Sequence, residues 1–358
     1  MKRIGNLYND ICDIYNIMDM YDNCVRKNTK NKKKLEEFNN LYSCNIKEIK
    51  EELMTNNYTP GKYNIFLIRE PKLRIIMSQS IKDKIINHLV AKYFLVDVFD
   101  KTFINNNCAT RKGKGSHYGL KLFKSKNKYD KFYILKFDIS KYFYNIDHEI
   151  TKQLISNRIK DKKALKIIFD IIDSTDSDYI NKKIIELKNF EKKKINNLNI
   201  KDKNIKLKEL DDLPLYNVGK GFPIGNMTSQ IIATLYLDEI DKFIQEKLKI
   251  KHYIRYCDDG VLFSDNKEYL KYCLVKIENL LNKYKLKLNK KTRIYNSLDE
   301  IEFLGFRFMS DKRIIMKVTN KTKKRFKKRL NTNNISSYIG HLKYGCCNEL
   351  VYRTCKNQ

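Results

Sequence analysis

The tetrapeptide Tyr256-Cys257-Asp258-Asp259 limits what this chain can fold into more than any other feature. Apolar segments flank it, His252-Tyr253-Ile254-Arg255-Tyr256 before and Gly260-Val261-Leu262-Phe263 after. It therefore reads as the tip of a β-hairpin, with the Asp-Asp-Gly step supplying the tight turn. Adjacent carboxylates repel, and a fold tolerates them best when a cation is bound between them. Magnesium, which prefers hard oxygen ligands, suits that place. Alone, such a pair is an ordinary solvated hairpin tip; a third carboxylate elsewhere changes the reading.

The third is Asp138. An apolar strand, Tyr133-Ile134-Leu135-Lys136-Phe137, runs into it, and a more polar, helix-like stretch from Ile139 to His148 leaves it. Sites in mixed folds present a ligand at a strand's carboxyl end in this way. Neighbouring strands would bring Asp138 and Asp258 together. Two magnesium ions about 3.5–4 Å apart among such carboxylates would support in-line phosphoryl transfer, one activating a 3′-hydroxyl and one steadying a leaving pyrophosphate.

Arg111-Lys112-Gly113-Lys114-Gly115-Ser116-His117 precedes the Asp138 segment, and Gly221-Phe222-Pro223-Ile224-Gly225-Asn226-Met227-Thr228-Ser229-Gln230 follows it. After the double aspartate come Leu286-Lys287-Leu288-Asn289-Lys290-Lys291-Thr292 and Phe303-Leu304-Gly305-Phe306. In this order, from about Arg74 to Phe308, the chain resembles the reverse transcriptases. The resemblance implies an α+β, right-hand polymerase fold of fingers, palm and short helical thumb, with an antiparallel palm sheet backed by helices. It implies RNA-directed DNA synthesis with two Mg2+ ions and dNTP substrates. It assigns the metal ions to Asp138, Asp258, Asp259 and the Ile139 backbone carbonyl. The nucleotide falls to Arg111 and Lys112, to Ser140, Lys141, Tyr142 and Phe143, and to Ile224, Gly225 and Gln230. Arg suits a bidentate grip on phosphate oxygens. Phe143 matches the aromatic gate against a ribose 2′-hydroxyl, while Tyr142 reads equally well as core. Lys291, or its neighbour Lys290, corresponds to a general acid for departing pyrophosphate. Asp147 reads as a structural cap or ion-pair partner.

Within the family, Ile224-Gly225 and Ser229-Gln230 resemble the diversity-generating retroelement enzymes and related defence-associated reverse transcriptases, where others carry Gln before the glycine and Pro after the serine. Ser337 to Tyr344 is similar to the short thumb of that group. An apolar Ile224 in place of a hydrogen-bonding Gln implies relaxed selection and error-prone synthesis, because polar sites reject misfits better than apolar ones. The expected partners are template RNA and an RNA/DNA duplex, with a structured non-coding RNA, a small basic accessory protein or a homo-oligomer in addition. A retroelement enzyme, an antiviral defence enzyme making DNA during phage infection, and a non-catalytic RNA-binding protein on the same scaffold are the readings in play. The intact aspartates disfavour the last.

Composition agrees. With 358 residues, 42% of them apolar, the chain can bury a large core. Its 73 Lys plus Arg against 42 Asp plus Glu, net +31, fits a polyanion partner, although abundant Lys, Asn and Ile also suit an AT-rich coding sequence. Apolar runs such as Ile231–Leu237 fall short of the roughly 20 residues of a membrane span. Nine scattered cysteines without Cys-x-x-Cys spacing suggest reduced thiols and a cytoplasmic protein, bacterial or phage-encoded. The expected division is an N-terminal helical extension over 1–60, fingers and palm over 61–308, and a helical thumb over 309–358. Tyr63–Arg69 and Leu73–Met77 are expected to form a hairpin around Glu70-Pro71-Lys72, and 177–213 a lysine-rich insertion of solvated helices that could contact RNA. The basic run Lys321–Leu330 would track a duplex backbone. Residues 309–358 leave no room for a maturase, endonuclease or ribonuclease H domain of ordinary size.

Overall fold

A computed structural model describes residues 3–69, 72–126, 132–197, 202–296, 298–311, 313–329, 335–345 and 352. Glu70, Pro71, Leu330, Cys346, Cys347 and Cys355 lie outside the described residues. The fold mixes helices with antiparallel sheets, and the chain divides into two compact units, each assembled from discontinuous segments.

The first unit comprises Met1–Phe103, Lys141–Leu237 and Tyr284–Leu286. Its sheet is the two-stranded antiparallel pair β1 (Asn64–Ile68) and β2 (Arg74–Ser78). Alternation turns Ile65, Ile75 and Met77 to one face. That face is covered by Ile180, Ile184 and Ile195 of helix Asp178–Asn196 and Leu210 of helix Lys203–Asp211, with Leu213 and Tyr216. The lysine-rich 177–213 stretch is therefore not simply solvated: Ile180, Ile184 and Ile195 form one side of a core, while lysines such as Lys182, Lys183 and Lys193 are exposed. Helix Ile81–Leu89 continues through Val90–Val96, and Ile85, Ile86, Leu89 and Phe94 are fully buried. Ser80 caps it by accepting from the Asp83 N–H. Helix Met227–Tyr236 is buried along nearly its whole length.

The second unit comprises Ile104–Ser140, Asp238–Lys283 and Lys287–Gln358. Its four-stranded sheet runs β4 (His252–Tyr256), β5 (Asp259–Ser264), β3 (Tyr133–Phe137), β6 (Arg293–Asn296), all neighbours antiparallel. A second sheet holds β7 (Ile301–Phe303), β8 (Phe306–Asp311) and β9 (Arg313–Val318). Phe123 of helix Ser116–Lys126 meets Phe263, Phe303 and Phe308 at ring separations of 5.2, 5.3 and 4.1 Å. Rings of this kind each contribute about 1.5–3 kcal/mol by burial. The all-helical expectation for 309–358 needs correction, because Arg313–Val318 pairs with β8 and helix begins only at Asn320. The Ile-Ile-Met-Lys-Val run in that strand favours extended backbone. Helix Asn320–Arg329 buries Thr322 and Phe326 and turns Lys321, Lys324, Lys327 and Lys328 outward. Among the described residues, no helix is long and apolar enough to cross a membrane.

Candidate active site

The aspartate hairpin belongs to the second unit. Tyr256 faces Asp259 across the β4–β5 ladder, so the two-residue turn is Cys257-Asp258 and Asp259 already opens β5. The turn is thus not made by the Asp-Asp-Gly step. Cys257 takes the positive φ, 54°, that the first position of a primed hairpin turn demands. A non-glycine residue held there costs on the order of 1 kcal/mol or more. Arg255 restrains it by donating from Nη1 to the Cys257 carbonyl at 2.9 Å. Its Nε and Nη2 grip the Asp241 carboxylate at 2.7–2.9 Å, and the Tyr253 hydroxyl donates to the same group at 2.8 Å. Arg255 and Asp241 are 1% and 0% exposed, so a dry ion pair fixes the hairpin from behind.

Gly260 is required by packing instead. A Cβ there would lie 2.2 Å from Cζ of Phe137, its partner in the β3–β5 ladder. Because Phe137 pairs with Gly260, Asp138 leaves β3 directly beside Asp259 and the Asp258 turn. One hydrogen-bonded strand boundary separates aspartates that are far apart in sequence.

Residues 287–292 wrap Asp138. The Asn289 backbone N–H donates to the Asp138 carbonyl at 2.7 Å, and its Nδ2 donates to Asp138 Oδ2 at 3.0 Å. The Asn289 amide is itself oriented, since its Oδ1 accepts the Lys291 N–H at 3.1 Å. Ser140 donates its N–H to the Lys287 carbonyl at 2.9 Å, and Ile139, 2% exposed, bridges Leu288. Lys136 Nζ stands 3.8 Å from Asp259 Oδ1 and donates to the Glu302 carbonyl at 2.8 Å.

Burial first, then the charges of Asp138 and Asp259 and a hydrogen bond with Asp138, push the Asp258 carboxyl up to about 7. Three carboxylates brought this close are a donor set for a divalent cation, and their all-oxygen chemistry fits a magnesium-class ion.

The remaining sequence candidates divide between the units. In the second, Arg111 Nη1 donates to the Ile104 and Asn107 carbonyls at 2.7 and 3.4 Å, bracing its own loop, while Lys112 is exposed. That loop is itself anchored on β4 through Cys108 N–H to the Arg255 carbonyl and Arg255 N–H to the Asn106 carbonyl. Lys290 and Lys291 are both exposed. In the first unit, Tyr142 is core: 3% exposed, with its hydroxyl donating to the Ala233 carbonyl at 2.5 Å. Phe143 is half-buried, Lys141 and Gln230 are exposed, and Lys141 carries a positive φ of 48°. Ile224 accepts the Met77 N–H at 3.2 Å, and Gly225, φ 133°, brings its backbone so close to β2 that a Cβ would lie 3.1 Å from the Met77 carbonyl. A cleft of about 250 Å3 lined by Met77, Gln79, Lys84, Gly225 and Met227 opens there. Asp147 caps helix His148–Ser156 through the Ile150 N–H and pairs with Lys285 at 2.6 Å. Burial opposes its charge, but the Lys285 and Ile150 hydrogen bonds prevail and hold its carboxyl below the usual range.

Sequence reasoning missed Asn289, the Arg255–Asp241 pair and the packing role of Gly260. The Arg inside an otherwise apolar strand was the one visible signal, since a buried guanidinium demands a carboxylate.

Carboxylates gathered at the ends of adjacent antiparallel strands form an oxygen donor set of the kind that divalent cations fit. Residues 68–308 match the reverse transcriptase (RNA-dependent DNA polymerase) family, and the chain belongs to it. It is similar to the group II intron-encoded protein LtrA of Lactococcus lactis subsp. cremoris, and equally to that of strain MG1363, at 24% identity over 209 residues. The alignment covers 58% of this chain and 29% of the relative. The family rests on the match over residues 68–308, and neither comparison distinguishes a subgroup.

Proposed function

We propose that the protein is an RNA-directed DNA polymerase of right-hand architecture that extends a primer with dNTPs on an RNA template. The observation that carries this reading is the emergence of Asp138 beside the Asp258-Asp259 hairpin. Asp138, Asp258 and Asp259, with the Ile139 carbonyl, would hold divalent ions; when bound, such ions supply Lewis acidity to the attacking hydroxyl and the leaving pyrophosphate. The chain's own contribution is orientation: Asn289 fixes the Asp138 carboxylate, and the Arg255–Asp241 pair fixes the turn that carries Asp258. Lys112 would meet the triphosphate, with Arg111 shaping its loop, and exposed Lys291 or Lys290 would donate the proton to pyrophosphate. Phe143 would exclude ribonucleotides, so the product is DNA. The outward lysines of helix Asn320–Arg329 would track the duplex backbone. Magnesium-dependent extension of a DNA primer on RNA tests the activity. Extension that persists in Asp258→Asn, or that never occurs with wild type, refutes it.

At subgroup level we favour the diversity-generating type, with defence against phage as the second reading, on the apolar Ile224 beside Gly225. Ile224→Gln should narrow the misincorporation spectrum in sequenced extension products; an unchanged spectrum removes this support.

A further inference from the structure

A second acidic cluster lies in the first unit, remote in sequence from the aspartate hairpin. His148 opens helix His148–Ser156 and is 1% exposed. Its Nε2 lies 2.9 Å from the Gly221 carbonyl, which can only accept, so Nε2 carries a proton. The Thr175 hydroxyl donates to the same carbonyl at 2.9 Å. The other ring nitrogen, Nδ1, is the atom left to serve as a ligand. Two carboxylate oxygens stand against it, Asp173 Oδ1 at 3.3 Å and Asp176 Oδ2 at 3.4 Å, yet Nδ1 makes no hydrogen bond with either. A buried ring nitrogen this close to two carboxylate oxygens calls for positive charge among them, a proton on Nδ1 or a metal ion.

The outer atoms of all three groups are already held. Asp173 Oδ2 takes Lys152 Nζ at 2.8 Å, Asp176 Oδ1 accepts the Gly219 N–H at 2.9 Å, and His148 Nε2 is on Gly221. The three inner atoms are left converging, all within 4.8 Å of one another. This is the pattern by which outer partners orient metal ligands. The two separations from Nδ1 also fit: ligands about 2.0–2.1 Å from a tetrahedral ion lie about 3.3–3.4 Å apart. Asp173 is the last residue of helix Lys162–Asp173, where the helix dipole favours positive charge. The Asp173 and Asp176 side chains are 43% and 24% exposed, which leaves the cluster open to solvent.

We propose that His148 Nδ1, Asp173 Oδ1 and Asp176 Oδ2 bind one first-row divalent transition ion of the zinc class, completed by water. An imidazole with two carboxylates selects such an ion over Mg2+, which rarely takes nitrogen. The ion would tie the 173–176 turn and the Gly219–Gly221 segment to the start of helix His148–Ser156. Its role is structural and independent of the polymerase reading.

The test uses the tag-free full chain, stripped of metal, with Mg2+ in excess to saturate all-oxygen sites. Zn2+ is titrated by calorimetry, and Co2+ by its visible absorption. His148 itself is too deeply packed for a clean variant, so Asp173→Asn and Asp176→Asn are compared; both reach solvent, and the amide oxygen can still accept from the outer partners. Wild type should bind one equivalent, with the intense Co2+ absorption of a low-coordinate site and a rise in melting temperature. Either substitution should weaken binding by at least about tenfold, since loss of even an outer partner costs about 10–100-fold. If wild type binds neither ion, or both variants bind them with unchanged stoichiometry and affinity, as thiols elsewhere would allow, the proposal is overturned. A melting temperature lowered in the variants without any metal dependence in wild type overturns it equally, leaving an ion-pair cluster only.

Discussion

Replacing Asp258 with Asn should stabilise the metal-free protein, and only above a particular pH. In the folded chain Asp258 keeps its proton up to about pH 7, whereas an unfolded aspartate titrates near about 3.9. A folded pKa above the unfolded one means that the native state holds a proton the unfolded state has released. Stability therefore falls as pH rises from about 4 to about 7, and the full penalty applies above that window. Roughly three units at about 1.4 kcal/mol each set a ceiling of about 4 kcal/mol. Solvent reaches this partly exposed carboxylate and screens it, so about 1–2 kcal/mol is the expected share. The isosteric amide keeps the turn and removes the charge. In EDTA at pH 8, Asp258→Asn should melt about 1–3 °C above wild type; at pH 5 roughly a third of that difference should remain, and below about pH 4 it should vanish. Excess Mg2+ at pH 8 should raise the wild-type melting temperature and leave the variant nearly unchanged. A variant that melts below wild type at pH 8, or by the same increment at both pH values, refutes the claim that mutual repulsion and burial load this site.

Three further outcomes follow from the same geometry. Gly260→Ala should destabilise by about 1–3 kcal/mol in urea unfolding, because the new methyl must displace the Phe137 ring; adding Phe137→Leu should restore part of the loss. Arg255→Met should cost about 3–5 kcal/mol by stranding the Asp241 charge, and Arg255→Met with Asp241→Leu should recover most of it. Asn289→Ala should lower Mg2+-dependent extension about 10–100-fold while shifting the melting temperature little, because its amide orients a carboxylate instead of filling a core.

The strands that carry the aspartates were legible because apolar runs end at acidic residues, a pattern with few alternatives. The β1–β2 pair was likewise legible as two apolar runs either side of Glu70-Pro71-Lys72. The turn was misjudged because Asp-Asp-Gly is locally the best turn sequence; the Phe137 ring across the ladder, invisible locally, claims Gly260 for the strand. The 177–213 helices looked solvated because lysines outnumber their isoleucines, though Ile180 and Ile184 stand one helical turn apart and pack on β1–β2. Asn289 could not be singled out, since nothing local ties an Asn in a lysine-rich turn to a carboxylate on another strand. His148 was hidden for the same reason: its acidic neighbours come from the end of a different helix.

The convergence of Asp138 with the Asp258 hairpin can be read most directly by Fe2+-directed cleavage of the metal-stripped protein, mapped by mass spectrometry. Hydroxyl radicals from an iron held by all three carboxylates should cut the backbone both near Asp138 and near Cys257–Asp259, and excess Mg2+ should suppress both cuts together. Cleavage confined to one of these segments, or cuts that Mg2+ leaves untouched, would show that the three aspartates do not share an ion.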